Sequence, residues 1–163
     1  MPASGLALAG LLLVAWSRLA GAGQPLRRLS DADFEHETQA STGATTGTWL
    51  VTFGAESCEA CRRIREALEG IDEELREGYV LPAYAEKSDS AELFKRFAIT
   101  QVPSTLLFRQ GRLHRYTGGE AAKELLEFGL ETSEGGEKVP PEPSALDRLM
   151  AKVRGLVGGG GDL

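Results

Sequence analysis

Thr48 to Ile64 reads TWLVTFGAESCEACRRI. Trp49, Leu50, Val51, Thr52 and Phe53 form an almost unbroken run of β-formers, the pattern of a strand buried on both faces. Gly54 to Ser57 turns the chain. Cys58 and Cys61, the only two cysteines, then open a helical pattern carried by Ile64, Ala67, Leu68, Ile71 and Leu75. Two cysteines three apart on one helical turn bring their sulfurs within reach of each other. The first lies at a helix N-terminus, where unpaired N–H groups and the positive end of the dipole favour a thiolate. The thiolate is the reactive form. Cys58 is therefore the expected attacking sulfur and Cys61 the resolving one. A structural disulfide is the main alternative for this pair. A zinc site would need four ligands, and only His36 and His114, far apart in sequence, could add to the cysteines. Neither a metal nor a cofactor is expected.

Outward from that stretch, alternating strand and helix patterns fill about residues 25–130. Pro25 to Leu29 suits an edge strand. Ser30 to Asp33 has the form of a helix cap, predicting a helix from about Asp31 to Thr38, and Gln39 to Gly47 reads as a loop. The cysteine helix is expected to run on to about Gly78. Tyr79 to Glu86 is a second strand, which Pro82 moves toward an edge. Asp89 to Phe97 is a helix with Leu93, Phe94 and Phe97 on one face. Thr105 to Phe108 and Leu113 to Tyr116, joined by Arg109 to Arg112, make a hairpin. His114 alternates with Leu113 and is expected on a solvent face; His36 is expected on a solvated helix. Glu120 to Phe128 closes the domain as a helix with Ala121, Leu125 and Phe128 inward. Alternation in the first half predicts parallel strands and the hairpin an antiparallel edge. The fold class is α/β, a central mixed β-sheet flanked by helices.

The 163-residue chain is long enough for one domain with a substantial core. Its net charge of −6 argues against nucleic acid as a partner, because phosphate binding needs a basic face. Gly5 to Trp16 is an apolar run of signal-peptide length, and Ala20-Gly21-Ala22 fits a small-x-small cleavage site, so residues 1–22 are expected to be a signal peptide. An uncleaved anchor is the alternative. Either directs the domain to an oxidising compartment, the endoplasmic reticulum lumen or the exterior. Residues 131–145, rich in Glu, Gly and Pro, are expected to be a disordered linker. In residues 146–157, Leu146, Leu149, Met150, Val153, Leu156 and Val157 recur at i, i+3, i+4, i+7, i+10 and i+11. That is a short amphipathic helix, suited to a membrane surface, a protein partner or its own domain. Residues 158–163 are a glycine-rich tail, and a monomer is expected.

With the cysteine turn, the element order and the later proline in view, residues 25–130 resemble the thioredoxin fold, and within it a single thioredoxin-like domain of the protein disulfide isomerase family. Phe53-Gly54-Ala55-Glu56-Ser57-Cys58-Glu59-Ala60-Cys61 matches that family's F-x-A-x-x-C-x-x-C. Val102-Pro103-Ser104 stands where the family has a cis-proline followed by Thr or Ser. Tyr116-Thr117-Gly118-Gly119 is similar to its Y-x-G segment. The resemblance implies thiol–disulfide exchange on cysteine-containing proteins, with Cys58 as nucleophile, Cys61 as resolving thiol, and Val102 and Pro103 as the place where an extended peptide pairs with the backbone. Several positions depart from the family. Ser57 replaces a tryptophan, Glu59-Ala60 stands between the cysteines, and Thr52 replaces the buried acid that receives the resolving thiol's proton. Glu120 replaces a basic residue and Glu66 a proline. A carboxylate at Glu59 opposes a thiolate at Cys58, with Arg62 and Arg63 as partial offsets. These departures leave a second expectation beside the enzyme, a non-catalytic thioredoxin-like module that binds clients or a partner.

Overall fold

In a computed structural model of the chain, residues 25–43 and 47–157 are described. The expected signal segment and the glycine-rich tail lie outside them. The run at Trp49 becomes β2 (Thr48–Gly54), with every residue from Trp49 to Gly54 buried, because it runs through the middle of the sheet. In chain order the other elements are β1 (Arg27–Leu29), α1 (Phe34–Thr38), α2 (Glu59–Gly70), α3 (Asp72–Glu77), β3 (Val80–Glu86), α4 (Ala91–Arg96), β4 (Ser104–Arg109), β5 (Arg112–Arg115), α5 (Ala122–Glu131), β6 (Glu137–Lys138) and α6 (Ala145–Val157). The six strands lie in the order β1-β3-β2-β4-β5-β6. β1 and β2 run parallel to β3, while β4, β5 and β6 add antiparallel neighbours. This is the mixed sheet that the alternation and the hairpin predict.

Each sheet face carries its own core. Leu29, Phe34, Val51, Phe53, Phe97 and Phe108 fill one side under α1 and α4. Leu50, Ile64, Leu68, Leu75, Leu107 and Leu125 fill the other, under α2, α3 and α5. Phe97 meets Phe108 and Phe34 at centroid distances of 5.1 and 5.3 Å, in tilted geometry. Pro82 fits inside β3 because β1 pairs only with Ala83 to Ala85; at Pro82 the outer side of β3 has no strand beside it.

Four expectations are corrected. The first helix begins at Phe34, not Asp31. The Asp31 carboxylate instead accepts from the backbone N–H groups of Glu92 and Leu93 at 3.0 and 2.9 Å, capping α4. The cysteine helix is interrupted at Ile71, whose φ of −116° and ψ of 14° end α2 and begin α3. His114 is buried, since the segment leading into β6 covers it: a Cβ at Gly136 would come within 2.7 Å of the imidazole. Burial, with Arg109 and Arg112 nearby, lowers its pKa from the usual value.

The fourth correction concerns residues 131–145. Glu137–Lys138 pairs with β5, Val139 is buried in the first core, and the Pro140 carbonyl accepts from Arg96. This segment is a strap laid across the domain, held by specific contacts rather than free. Beyond it, α6 leaves Leu146, Leu149, Met150 and Val153 exposed. No helix among the described residues is long and apolar enough to cross a membrane.

Candidate active site

The C-terminal end of β2 delivers Ala55 to Ser57 and then Cys58, which caps α2 in extended conformation (φ −96°, ψ 104°). The Cys61 N–H donates to Cys58 Sγ at 3.1 Å. That bond satisfies one of the orphan donors of the helix start, so the sulfur occupies the place where a helix best stabilises negative charge. Cys58 and Cys61 are joined as a disulfide with Cα atoms 5.2 Å apart. The two differ in access: Cys58 is half-buried, whereas Cys61 is only 1% exposed. An incoming thiol or disulfide therefore meets Cys58 first.

Val102 and Pro103, half-buried and joined by a cis peptide bond, lead into β4. The β2–β4 ladder runs as far as Phe53 opposite Ser104. The chain entering β4 through Pro103 thus lies beside the chain leaving β2 through Gly54. The fold brings the cysteine turn and the Val102-Pro103 turn to one end of the sheet.

Charged side chains in the first turns of α2 are paired. Arg62 donates through Nε to Glu59 at 3.1 Å and through Nη1 to Glu66 at 2.6 Å. Arg63 donates to Glu120 at 2.5 Å, tying α2 to the segment before α5. The Arg62 hydrogen bond holds the Glu59 carboxyl below its usual range, and Arg63 does the same for Glu120. Both therefore stay ionised at neutral pH, each beside a guanidinium. Glu66 and Glu120, two of the departures from the family pattern, serve in this arginine network.

Beneath the turn, Thr52 and Thr105 share a hydrogen bond of 2.8 Å between their hydroxyls, both buried. Tyr84 and Glu86, which sequence reasoning did not single out, are buried on the same side of the sheet. Their alternation, Pro82-x-Tyr84-x-Glu86, was the available signal. Among the described residues no group of three or more His, Cys, Asp or Glu could hold a metal ion. A groove of about 490 Å³ between α1, α4 and α6 is lined by Phe34, Leu93, Arg96 and Arg148 and contains neither cysteine.

The thioredoxin family profile matches residues 26–131. A thioredoxin domain-containing protein of Theileria parva is 41% identical over 125 residues, covering 76% of this chain and 56% of that protein; the chain thus spans about half the length of that relative. Two solved structures share the fold. The first thioredoxin domain of mouse protein disulfide-isomerase A4 gives a TM-score of 0.57 at 22% identity, covering 72% of this chain and 82% of that one. The J-Trx1 fragment of ERdj5 also gives 0.57, at 18% identity, covering 67% and 52%.

Proposed function

This chain belongs to the thioredoxin family, and from that premise we propose that it is a thiol–disulfide oxidoreductase acting on cysteine-containing proteins of the secretory pathway. The observation that carries the proposal is the Cys58–Cys61 disulfide at the start of α2, with one sulfur accessible and the other buried. In the reduced protein the Cys58 thiolate attacks a substrate disulfide. A mixed disulfide forms and one substrate thiol leaves. Cys61 then attacks Cys58 Sγ, closing the Cys58–Cys61 bond and releasing the second substrate thiol. Two electrons and two protons pass to the substrate. The reverse sequence oxidises a dithiol, and a small-thiol couple such as glutathione resets the pair. The backbone at Val102 and Pro103 is the place for an extended substrate segment. The apolar run at Gly5 to Trp16 and the likeness to a protein disulfide-isomerase domain support the secretory assignment.

A second function, a client-binding module without turnover, is favoured by one observation. The Thr52–Thr105 pair beneath the cysteines is neutral and offers no base. Equilibration with glutathione, alkylation and mass readout separate the two. A couple near about −180 mV places the protein with isomerases, and one near about −270 mV with reductases. A pair that stays closed, or stays open, across the whole range overturns the enzymatic function. In the same assay Cys58→Ser abolishes exchange, and Cys61→Ser accumulates the mixed disulfide.

A further inference from the structure

Helix α6 presents an apolar face that its own domain leaves uncovered. Leu146, Leu149, Met150 and Val153, at i, i+3, i+4 and i+7, are 65%, 56%, 51% and 46% exposed. With 3.6 residues per turn they share one arc of about 100°. The helix does not depend on a core to form, because its start is capped from within. The Asp147 N–H donates to Ser144 Oγ at 3.1 Å, and the Ser144 N–H donates back to the Asp147 carboxylate at 2.9 Å, a reciprocal cap. The base of the helix is nevertheless tied to the domain. Val139 is buried in the first core, Arg96 holds the Pro140 carbonyl, and Arg148 pairs with Glu142.

Three occupants compete for such a face, and charge and size separate them. The domain itself meets α6 from the other side: the groove against α1 and α4 is lined by Arg148, which helical spacing puts across the helix from the apolar arc. A second copy would bring two helices of like charge together. Arg148, Lys152 and Arg154 stand against the single acid Asp147 in this helix, a local positive excess in a chain of net charge −6. Four partly exposed side chains also fall far short of the roughly 800 Å² per partner of a stable interface. A lipid surface with anionic headgroups fits both features, since an apolar face and a basic helix are what an interfacial helix uses. A helix of 13 residues is about 20 Å long, shorter than the hydrocarbon core of about 30 Å, so α6 would lie along such a surface and not across it.

We propose that α6 docks the domain on a membrane surface bearing anionic headgroups. Leu146, Leu149, Met150 and Val153 enter the boundary between headgroups and acyl chains. Arg154, exposed and one turn beyond Met150, lays its aliphatic stem beside the stripe and its guanidinium on the headgroup phosphates. The strap makes this a mount for the domain and not a loose tail, because the contacts of Val139 and Pro140 fix where α6 begins. The helix meets the domain beside α1 and α4, on the sheet face opposite α2. Docking therefore leaves Cys58, at the start of α2, open to partners in solution. The proposal goes beyond the oxidoreductase function and does not depend on it.

The test reads the helix locally in the full chain, so that the apolar run at Gly5 to Trp16 cannot imitate the result. Cys58 and Cys61 are paired in the oxidised protein, which makes a polarity-sensitive fluorophore at Met150→Cys site-selective. A second chain carries the label at Lys123→Cys, an exposed site on α5. Each is titrated with vesicles of one part phosphatidylserine to two parts phosphatidylcholine, and with phosphatidylcholine vesicles alone. The label at 150 is expected to shift to the blue on the anionic vesicles, at least tenfold more tightly than on the neutral ones, while the label at 123 stays unchanged. Added salt weakens that binding. Leu149→Glu, and Lys152→Glu with Arg154→Glu, are each expected to weaken it at least tenfold, with urea midpoints unchanged. An unmoved label at 150 overturns the proposal, even where the chain sediments with the vesicles. Equal affinity for both vesicles, or undiminished binding by Leu149→Glu, also overturns it. A blue shift that grows with protein concentration in the absence of vesicles gives the face to a second copy and overturns it as well. Should the variants fail to fold, the two vesicle titrations and their salt dependence decide alone.

Discussion

Arg96 and Pro140, 44 residues apart, are joined by two hydrogen bonds from one guanidinium to one carbonyl, at 2.8 and 3.1 Å. Arg96 Nη2 also donates to Glu35 at 2.8 Å, and the guanidinium lies 5.0 Å from the Phe97 ring centroid. With its side chain only 4% exposed, Arg96 joins α1, α4 and the strap after β6. Arg96→Leu is expected to strand the Glu35 carboxylate and the Pro140 carbonyl, costing about 3 kcal/mol. Arg96→Lys recovers only part, because a point charge cannot reproduce the fork. Urea midpoints of the three proteins check this, and equal midpoints would contradict it.

The same cluster predicts an acid limb. Burial pushes Glu35 up, but hydrogen bonds from the Ser41 hydroxyl and backbone, followed by Arg96, outweigh it and leave the carboxyl below its usual value. A carboxyl depressed in the folded state stabilises above its unfolded pKa, about 4, and that stability is lost as pH falls through the folded value. Melting temperatures between pH 6 and 2.5 are expected to drop below about pH 4, with a shallower drop in Glu35→Gln. Superimposable acid limbs would show that the load lies elsewhere.

Glu59 is expected to tune the redox couple. It is ionised next to Cys58, with Arg62 drawing on its charge. Glu59→Gln removes a negative neighbour, favours the Cys58 thiolate and makes the couple more oxidising. Arg62→Gln exposes the carboxylate and moves it the other way. Since these side chains are about half exposed, added salt should shrink both shifts. Glutathione titrations at two ionic strengths measure them.

Gly54 carries a steric prediction. Any side chain there enters the space of the Tyr84 hydroxyl and ring, whose nearest ring carbon would be 2.7 Å away. Gly54→Ala should cost about 1–3 kcal/mol through overpacking. Combining it with Tyr84→Phe, which removes the closest atom, should restore part of that loss. Additive effects in the double-mutant cycle would contradict the contact.

The sheet and the cysteine turn were legible because their signals are local. Trp49 to Phe53 is apolar on both faces, and Cys58 follows a turn before a clear helical stripe. What escaped depends on partners distant in sequence. The break at Ile71 leaves no trace, since Ile71 and Leu75 stay on the stripe of the preceding helix. Glu137 and Lys138 show no alternation; their strand exists because β5 offers an edge. His114 alternates with Leu113 as a surface residue would, and only the strap above it makes it interior. Tyr84 and Glu86 went unnoticed because a buried acid is recognised by what covers it, and α2 does the covering.

Both margins of the sheet are short and charged. β1 contributes three residues, with Arg27 and Arg28 exposed and engaged by Glu37 and Asp89. β6 contributes two, both exposed, with Glu137 bridged to Arg115 at 2.8 Å. A strand arriving from another molecule would find little ladder to extend and would have to displace ion pairs to reach it. The strap that completes the domain thereby also caps the hairpin side of the sheet. A molecule that has lost β6 would present β5 as a bare template, so fibril formation should start from molecules whose strap has come loose.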